Sequence, residues 1–343
     1  MKNLIDEPGR NLFHEGEIAL QRSVGMAERI ESIGAKVVRD FMPDQHREFY
    51  ARLPFIVAAT VDESGDVWPT MFTGQPGFVG SPSPTSLTIN AKLDAADPAA
   101  SRLHADEAIG LLGIELHTRR RNRMNGKIIS STDGPLAVEV GQAFGNCPQY
   151  IQLRDYAFAD EQDRFALEPA EETTGLTDKA REIISTADTF FVASYAERLG
   201  EREVDVSHRG GKPGFVRIDE DGLLTVPDFS GNFYFNTLGN FVVNPRAGLL
   251  FVDFETGDIL QLAGMATVIT DSPEIAAFEG AERLWTVRTD RLVLRRGASA
   301  LRWAMREDAF SAKSLRTGSW KQATRQLAEG SLGQLGAGLE IGA

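Results

Sequence analysis

The stretch GQPGFV at residues 74–79 recurs as GKPGFV at residues 211–216, an offset of 137 residues. Downstream, GLLGIE at 110–115 corresponds to GLLFVD at 248–253, now at an offset of 138. Landmarks that keep both order and spacing predict two copies of one structural unit. The period far exceeds that of solenoids and propellers. We therefore expect two similar domains that pack like a homodimer fused into one chain, with a ligand cleft between them.

Each copy has the pattern of an antiparallel β unit. Its apolar segments are rich in Val, Ile, Phe and Thr, and turns such as Asp62–Asp66 and Asp219–Gly222 separate them. The helices that a doubly wound sheet needs after each strand are missing. The sequence therefore predicts a mainly β fold built from two antiparallel barrels. Apolar residues at helical spacing between 16 and 38 add an N-terminal helical arm, which we expect to pack on the first barrel.

Changes in composition along the chain predict five segments. They are an N-terminal helical arm (1–42), a first repeat (43–157), an acidic linker (158–175), a second repeat (176–305) and a C-terminal extension (306–343).

Composition excludes several classes of function. A net charge of −13 disfavours binding to nucleic acid, because the phosphate backbone would be repelled. No apolar run approaches the ~20 residues that span a membrane. A single cysteine, Cys147, fits a reducing compartment, and the five histidines are too scattered for a metal site. We expect a cytoplasmic protein that binds a small molecule and has no metal, membrane or nucleic-acid partner.

A basic, glycine-rich segment ends a strand of the second copy. Ser207-His208-Arg209-Gly210-Gly211-Lys212 offers a hydroxyl, a guanidinium, an ammonium and accessible backbone N–H groups. These donors suit a phosphate, since arginine bonds two oxygens at once and glycine lets the backbone approach. A solvated basic turn has the same composition, so spacing alone leaves both interpretations open.

A polar turn follows at 232–240. Asn236, Thr237 and Asn240 provide amides and a hydroxyl that can bond a phosphate or the edge of a heterocycle. Asx-turn chemistry is the alternative interpretation.

Four arginines in five residues stand in the first copy of this acidic chain. In a strand, Arg119, Arg121 and Arg123 would face one way and Arg120 the other. Both a solvated edge strand and a local anion site are consistent with this run.

The two copies have lost complementary groups. Where the second copy has Ser207, His208, Arg209 and Lys212, the first has Thr70, Met71, Phe72 and Gln75. Where the first copy has Arg119, Arg121 and Arg123, the second has Gly257, Ile259 and Gln261. If the copies face each other, the retained halves meet once, which predicts one anion site per chain and a degenerate counterpart.

Residues 44–300 resemble the pyridoxamine 5′-phosphate oxidase-like family of FMN-binding split barrels, in its two-barrel branch. The resemblance is strongest over 206–251, and over 118–126 with 144–151. It implies two tandem split β-barrels packed as an internal pseudo-dimer, with FMN between them. Two departures matter: Gly239-Asn240-Phe241 replaces the family's Ser-Arg-Lys, and the oxidase's C-terminal substrate-binding segment has no match. The resemblance therefore does not extend to the oxidase itself.

The resemblance also implies roles for individual residues. The expected FMN ligands are Ser207, His208, Arg209, Lys212, Asn236, Thr237 and Asn240 from the second copy, with Arg120 and Arg121 from the first. The implied function is an FMN-dependent oxidoreductase that transfers a hydride between flavin N5 and a small molecule. His208 is the candidate proton donor. A non-catalytic flavin or haem carrier and a deazaflavin-dependent reductase are the alternatives, and whether two chains form a homodimer stays open.

Overall fold

The computed structural model describes residues 12–131, 134–160 and 169–337. Strands make up 41% of it and helices 22%, which confirms the predicted mainly β fold class. The strands are β1 Phe55–Val61, β2 Val67–Thr73, β3 Val79–Ser83, β4 Ser86–Ile89, β5 Ala108–Glu115, β6 Arg120–Ser130, β7 Leu136–Gly145, β8 Arg154–Phe158, β9 Glu171–Thr173, β10 Thr189–Arg198, β11 Glu201–Gly210, β12 Arg217–Ile218, β13 Leu224–Phe229, β14 Arg246–Val252, β15 Ile259–Ile269, β16 Ala281–Arg295 and β17 Leu301–Met305. The helices are α1 Glu15–Ser23, α2 Ala27–Val37, α3 Asp44–Ala51, α4 Asp178–Thr186, α5 Asn236–Val243, α6 Pro273–Ala277, α7 Ala312–Leu315 and α8 Trp320–Ala337.

Two antiparallel sheets share one strand order. The first runs β2-β1-β5-β6-β7-β4-β3, and the second runs β11-β10-β14-β15-β16-β13-β12, with β9 also pairing with β16. Strands β8 and β17 form a separate two-stranded sheet. Within the described ranges neither large sheet closes on itself, so each is an open sheet rather than a closed barrel.

A glycine fixes the same irregularity in both sheets. Gly126 in β6 and Gly264 in β15 each follow a β-bulge. A Cβ on Gly126 would lie 1.9 Å from the carbonyl oxygen of Glu139, and a Cβ on Gly264 would lie 2.1 Å from that of Arg288. No side chain fits at either bulge, which explains why glycine recurs at the offset of 138.

The two sheets pack on each other through reciprocal contacts. A Cβ on Gly110 in β5 would lie 2.6 Å from the carbonyl oxygen of Val204 in β11. A Cβ on Gly248 in β14 would lie 2.1 Å from that of Val67 in β2. The two contacts correspond, since 248 − 110 is 138 and 204 − 67 is 137. The sheets therefore face each other across a pseudo-twofold axis, as expected for the fold class.

Apolar side chains fill the space between the sheets and behind each one. The shared core includes Phe55 and Leu112 from the first sheet with Phe191 and Leu250 from the second. Burial of these side chains is the main term that holds the sheets together.

The N-terminal arm is helical, as predicted, but its expected packing on the first unit is wrong in part. Helix α1 lies on α5 of the second unit, where a Cβ on Gly16 would be 2.2 Å from the carbonyl oxygen of Gly239. Leu20 of α1 belongs to the core of the second sheet, while Ile30 of α2 packs with Phe144 of the first. Helical periodicity identified the apolar face but carries no information on which unit covers it.

Candidate functional site

A cavity of about 120 Å³ lies where the two sheets meet. Its walls come from the start of β6 and residues 146–150 of the first unit, and from the end of β11 and residues 227–238 of the second. We call it the inter-sheet cavity.

Cationic side chains dominate the inter-sheet cavity. Four arginines line it, Arg121, Arg123, Arg209 and Arg283, against one carboxylate, that of Asp228. Asp228 accepts from both Arg209 (3.1 Å) and Arg283 (3.0 Å). The lining therefore carries excess positive charge within an acidic chain, which favours an anionic ligand.

Arg121 is the arginine that brings uncompensated charge to the cavity. Its Nε donates to the carbonyl of Cys147 (2.8 Å), and its Nη1 lies 3.2 Å from Nδ1 of His208. Among the described residues no carboxylate pairs with it. Burial lowers the pKa of Arg121 to about 10, so the guanidinium stays charged at neutral pH.

His208 is a neutral imidazole. Its Nδ1 faces a guanidinium donor of Arg121 and must accept, so Nε2 carries the hydrogen. Burial, aided by Arg121 and Arg209, holds the pKa of His208 well below its usual value. At neutral pH the ring is therefore not an imidazolium, so the suggested role as a proton donor is not supported. The buried Nε2–H has no partner among the described residues and can donate a hydrogen bond.

Helix α5 points its N-terminus into the same cavity. Asn236, Thr237 and Leu238 line the cavity, and no described side chain caps the helix. The N-cap residue, Phe235, adopts φ 61°, as does Phe233 just before it. Unpartnered N–H groups and the helix dipole make such a terminus attractive to anions, and strained backbone is common at binding sites.

Six of the nine predicted ligands line the inter-sheet cavity. They are Ser207, His208, Arg209, Asn236, Thr237 and Arg121. Ser207 accepts a hydrogen bond from Arg123, and its hydroxyl lies 3.0 Å from that of Thr237. Asn236 donates to Glu17 (2.6 Å).

Three predicted ligands lie elsewhere. Lys212 donates to the carbonyl of Thr317 (2.6 Å), in the segment before α8. Asn240 is buried in a network with Ser194 and Asp205, outside the cavity lining. The Arg120 guanidinium lies over the ring of Phe49, 5.4 Å from its centre, because strand alternation turns Arg120 away from Arg121.

Two further arginines, Arg123 and Arg283, line the cavity but were not among the expected ligands. Arg123 is on the same face of β6 as Arg121, so the alternation of the strand already pointed to it. Arg283 comes from β16, far along the chain, and no local pattern marked it. It is buried, with its guanidinium 4.7 Å from the centre of the Phe235 ring.

The pseudo-symmetric position is filled by side chains. Thr70, Gln261 and Arg295 stand where the inter-sheet cavity has Ser207, Arg123 and Asn146, and all three bond Asp97. The distances to the Asp97 carboxylate are 2.5 Å from Thr70, 3.1 Å from Gln261 and 2.5 Å from Arg295. All four side chains are buried. A satisfied ion-pair network thus occupies the position that would otherwise be a second cavity.

Within the described part of the chain, no group of three His, Cys, Asp or Glu residues is arranged to hold a metal ion. No described helix is long and apolar enough to cross a membrane.

No family model and no curated protein matches this chain. Among solved structures, it is similar to HupZ of Group A Streptococcus at 16% identity and a TM-score of 0.27, over 34% of this chain and 91% of that one. It is similar to a Clostridium acetobutylicum protein of the pyridoxinephosphate oxidase family, related to general stress protein 26, at 14% identity and a TM-score of 0.25, over 37% and 92%. General stress protein 26 of Bacillus anthracis aligns at 12% identity and a TM-score of 0.22, over 36% and 95%. With TM-scores this low, no property of these proteins is transferred to this chain.

Proposed function

We propose that the chain is a flavoprotein that binds one FMN, with the FMN phosphate in the inter-sheet cavity. The observation that carries the proposal is the uncapped N-terminus of α5, which opens into a cavity lined by four arginines and a single carboxylate. Helix N-termini and arginine guanidinium groups both bind phosphate in proteins.

Buried donors without partners support the same conclusion. Within the described part of the chain, Nε of Arg123, Nε of Arg209 and Nε2 of His208 have no hydrogen-bond partner, although all three residues line the cavity. Leaving a buried donor unsatisfied costs about 1–3 kcal/mol, so these atoms suit a ligand rich in acceptors. A phosphate is such a ligand.

The inter-sheet cavity is large enough for the phosphate group of FMN but not for the whole cofactor. A volume of about 120 Å³ holds a phosphate-sized group, whereas sites for whole cofactors reach about 300–1,000 Å³. Ser207, Thr237 and Asn236 would add hydroxyl and amide donors to the anion, and Arg121 would add unpaired positive charge. Bound FMN supplies hydride transfer at N5, and the resulting oxidoreductase would act on a small molecule.

The test is a fluorescence titration of the purified chain with FMN, in wild type and two matched variants. Arg209→Met removes a lining guanidinium, and Arg120→Met removes one on the opposite face of β6. We expect Arg209→Met to weaken FMN binding at least tenfold and Arg120→Met to leave it within twofold. Equal losses in both variants, or no FMN binding by wild type, would refute the proposal.

Turnover is a separate measurement. Reduction of bound flavin by NADPH or NADH, followed by oxygen uptake, would identify an oxidoreductase. Bound flavin that neither nucleotide reduces would instead indicate a carrier.

A further inference from the structure

A second, larger cavity lies beside the first. It has a volume of about 870 Å³, within the range of small-molecule sites. The N-terminal arm forms one wall, β6 and β7 form another, and β11 forms the third. We call it the arm cavity.

The two cavities share walls. Asn236 lines both, and its amide donates to Glu17, which lines the arm cavity. Arg123 of the inter-sheet cavity donates to Asp205 of the arm cavity (2.7 Å). A ligand in the arm cavity would therefore contact the residues that shape the inter-sheet cavity.

The charge of the lining reverses between the two cavities. Nine carboxyl groups line the arm cavity, and eight of them oppose five lysines and arginines as carboxylates, because burial raises the pKa of Glu17 to about 8; in the inter-sheet cavity four arginines face one carboxylate. An anion would be repelled from the arm cavity and a cation attracted to it.

Asn125, which lines the arm cavity, carries a buried acceptor atom. Asn125 is 7% exposed, and its Nδ2 donates to the Asp205 carboxylate (2.7 Å), which fixes the orientation of the amide. Its Oδ1 has no hydrogen-bond partner among the residues that the structure describes. Because buried acceptors are normally satisfied, this atom is suited to an N–H or O–H donor from a ligand.

Aromatic rings complete the lining. Phe13, Phe144 and Tyr234 pack together there, with ring centres 5.4 Å and 5.7 Å from that of Tyr234. These three rings are buried and make the wall rigid, and the Arg123 guanidinium lies over that of Phe144. Phe41 also lines the cavity and is 39% exposed, so its ring offers apolar surface to a ligand.

We propose that the arm cavity binds a small organic amine in its cationic form, with an apolar body. The cation meets the acidic lining, its N–H group meets the amide oxygen of Asn125, and its apolar body meets the exposed ring of Phe41. This is a binding site in its own right, and its test does not require FMN.

The test uses three probes that share a benzyl or phenyl body: benzylamine, benzyl alcohol and benzoate. Binding to the full chain is measured by calorimetric titration, without FMN and again with FMN added. We expect saturable one-to-one binding of benzylamine, at least tenfold weaker binding of benzyl alcohol, and none of benzoate. Benzoate binding as tight as benzylamine, or no saturable benzylamine binding, would overturn the proposal.

Two triple variants locate the site. The first neutralises three exposed carboxylates that line the arm cavity: Asp106→Asn, Glu139→Gln and Glu201→Gln. The second neutralises three exposed carboxylates away from it: Glu48→Gln, Glu172→Gln and Glu220→Gln. We expect the first to weaken benzylamine binding roughly tenfold and the second to change it less than twofold. Equal weakening by both triples would contradict the location.

FMN titration of the same samples keeps the two proposals apart. The cavity triple should bind FMN as wild type does, because its substitutions do not touch the inter-sheet cavity. If wild type did not bind FMN, the proposed function would be wrong, whereas saturable binding of benzylamine would still support the amine site.

Discussion

Arg123 on the first sheet donates a 2.7 Å hydrogen bond to Asp205 on the second, and both side chains are more than nine-tenths buried. Asp205 also accepts from Asn125 and Asn240, so the carboxylate is satisfied from both units. The pair ties the sheets together at the wall between the two cavities. Removing one partner would leave the other charge buried without compensation.

Arg123→Met should therefore destabilise the chain by about 3–5 kcal/mol. The matched control is Arg325→Met, which breaks an exposed pair with Glu329 on α8 (2.8 Å) and should cost less than about 0.5 kcal/mol. Urea unfolding measures both free energies. Similar small losses in the two variants would show that the buried pair contributes little.

From the reciprocal glycine contacts between the two sheets, we predict that alanine at either position lowers the free energy of unfolding. Gly110→Ala and Gly248→Ala each force a methyl group against the backbone of the other sheet, so each should cost about 1–3 kcal/mol. Gly175→Ala is the control, because no described atom lies within 4 Å of the position that its Cβ would take. It should change the free energy of unfolding by no more than about 0.5 kcal/mol. If only one of the two sheet glycines proved sensitive, the pseudo-twofold packing would be wrong.

Stability should fall as pH rises, because of Glu17. Burial, with the negative charges of Asp205 and Glu203 on β11, raises the pKa of Glu17 from 4.5 to about 8, against hydrogen bonds from His14 and Asn236. Between these values the folded state holds a proton that the unfolded state has lost. The stabilisation is therefore complete below pH 4.5 and is lost as pH rises through about 8.

Urea unfolding from pH 5 to 9 tests this, with Glu17→Gln and Glu15→Gln compared with wild type. Glu17→Gln should flatten the decline, since the amide mimics the neutral carboxyl. Glu15 is exposed on the same helix, and Glu15→Gln should keep the wild-type slope. A wild-type slope in Glu17→Gln would show that another group is responsible.

The sequence predicted the parts of this structure that depend on local pattern. The glycines at 126 and 264 correspond to equivalent bulges in the two sheets, and most of the expected ligands line one cavity between the two units. Alternation along β6 separated Arg121 and Arg123 from Arg120, whereas the family resemblance implied Arg120 together with Arg121 and did not include Arg123.

The sequence did not predict hydrogen bonds between residues that lie far apart along the chain. Lys212 bonds a carbonyl 105 residues away, and nothing in its own segment indicates that partner. Asn240 has the composition of a ligand, yet Asp205 and Ser194 hold it within the protein. Helical periodicity predicted the N-terminal arm. The packing of α1 on α5 depends on a close approach at Gly16, which only the tertiary structure shows.

Titration with FMN and with riboflavin tests most directly whether each chain has one phosphate site. The two ligands differ only by the phosphate, so the comparison isolates the contribution of α5 and the lining arginines. We expect one FMN per chain and riboflavin binding at least a hundredfold weaker, a difference of about 2.7 kcal/mol. Equal affinity for the two ligands, or two FMN per chain, would contradict it.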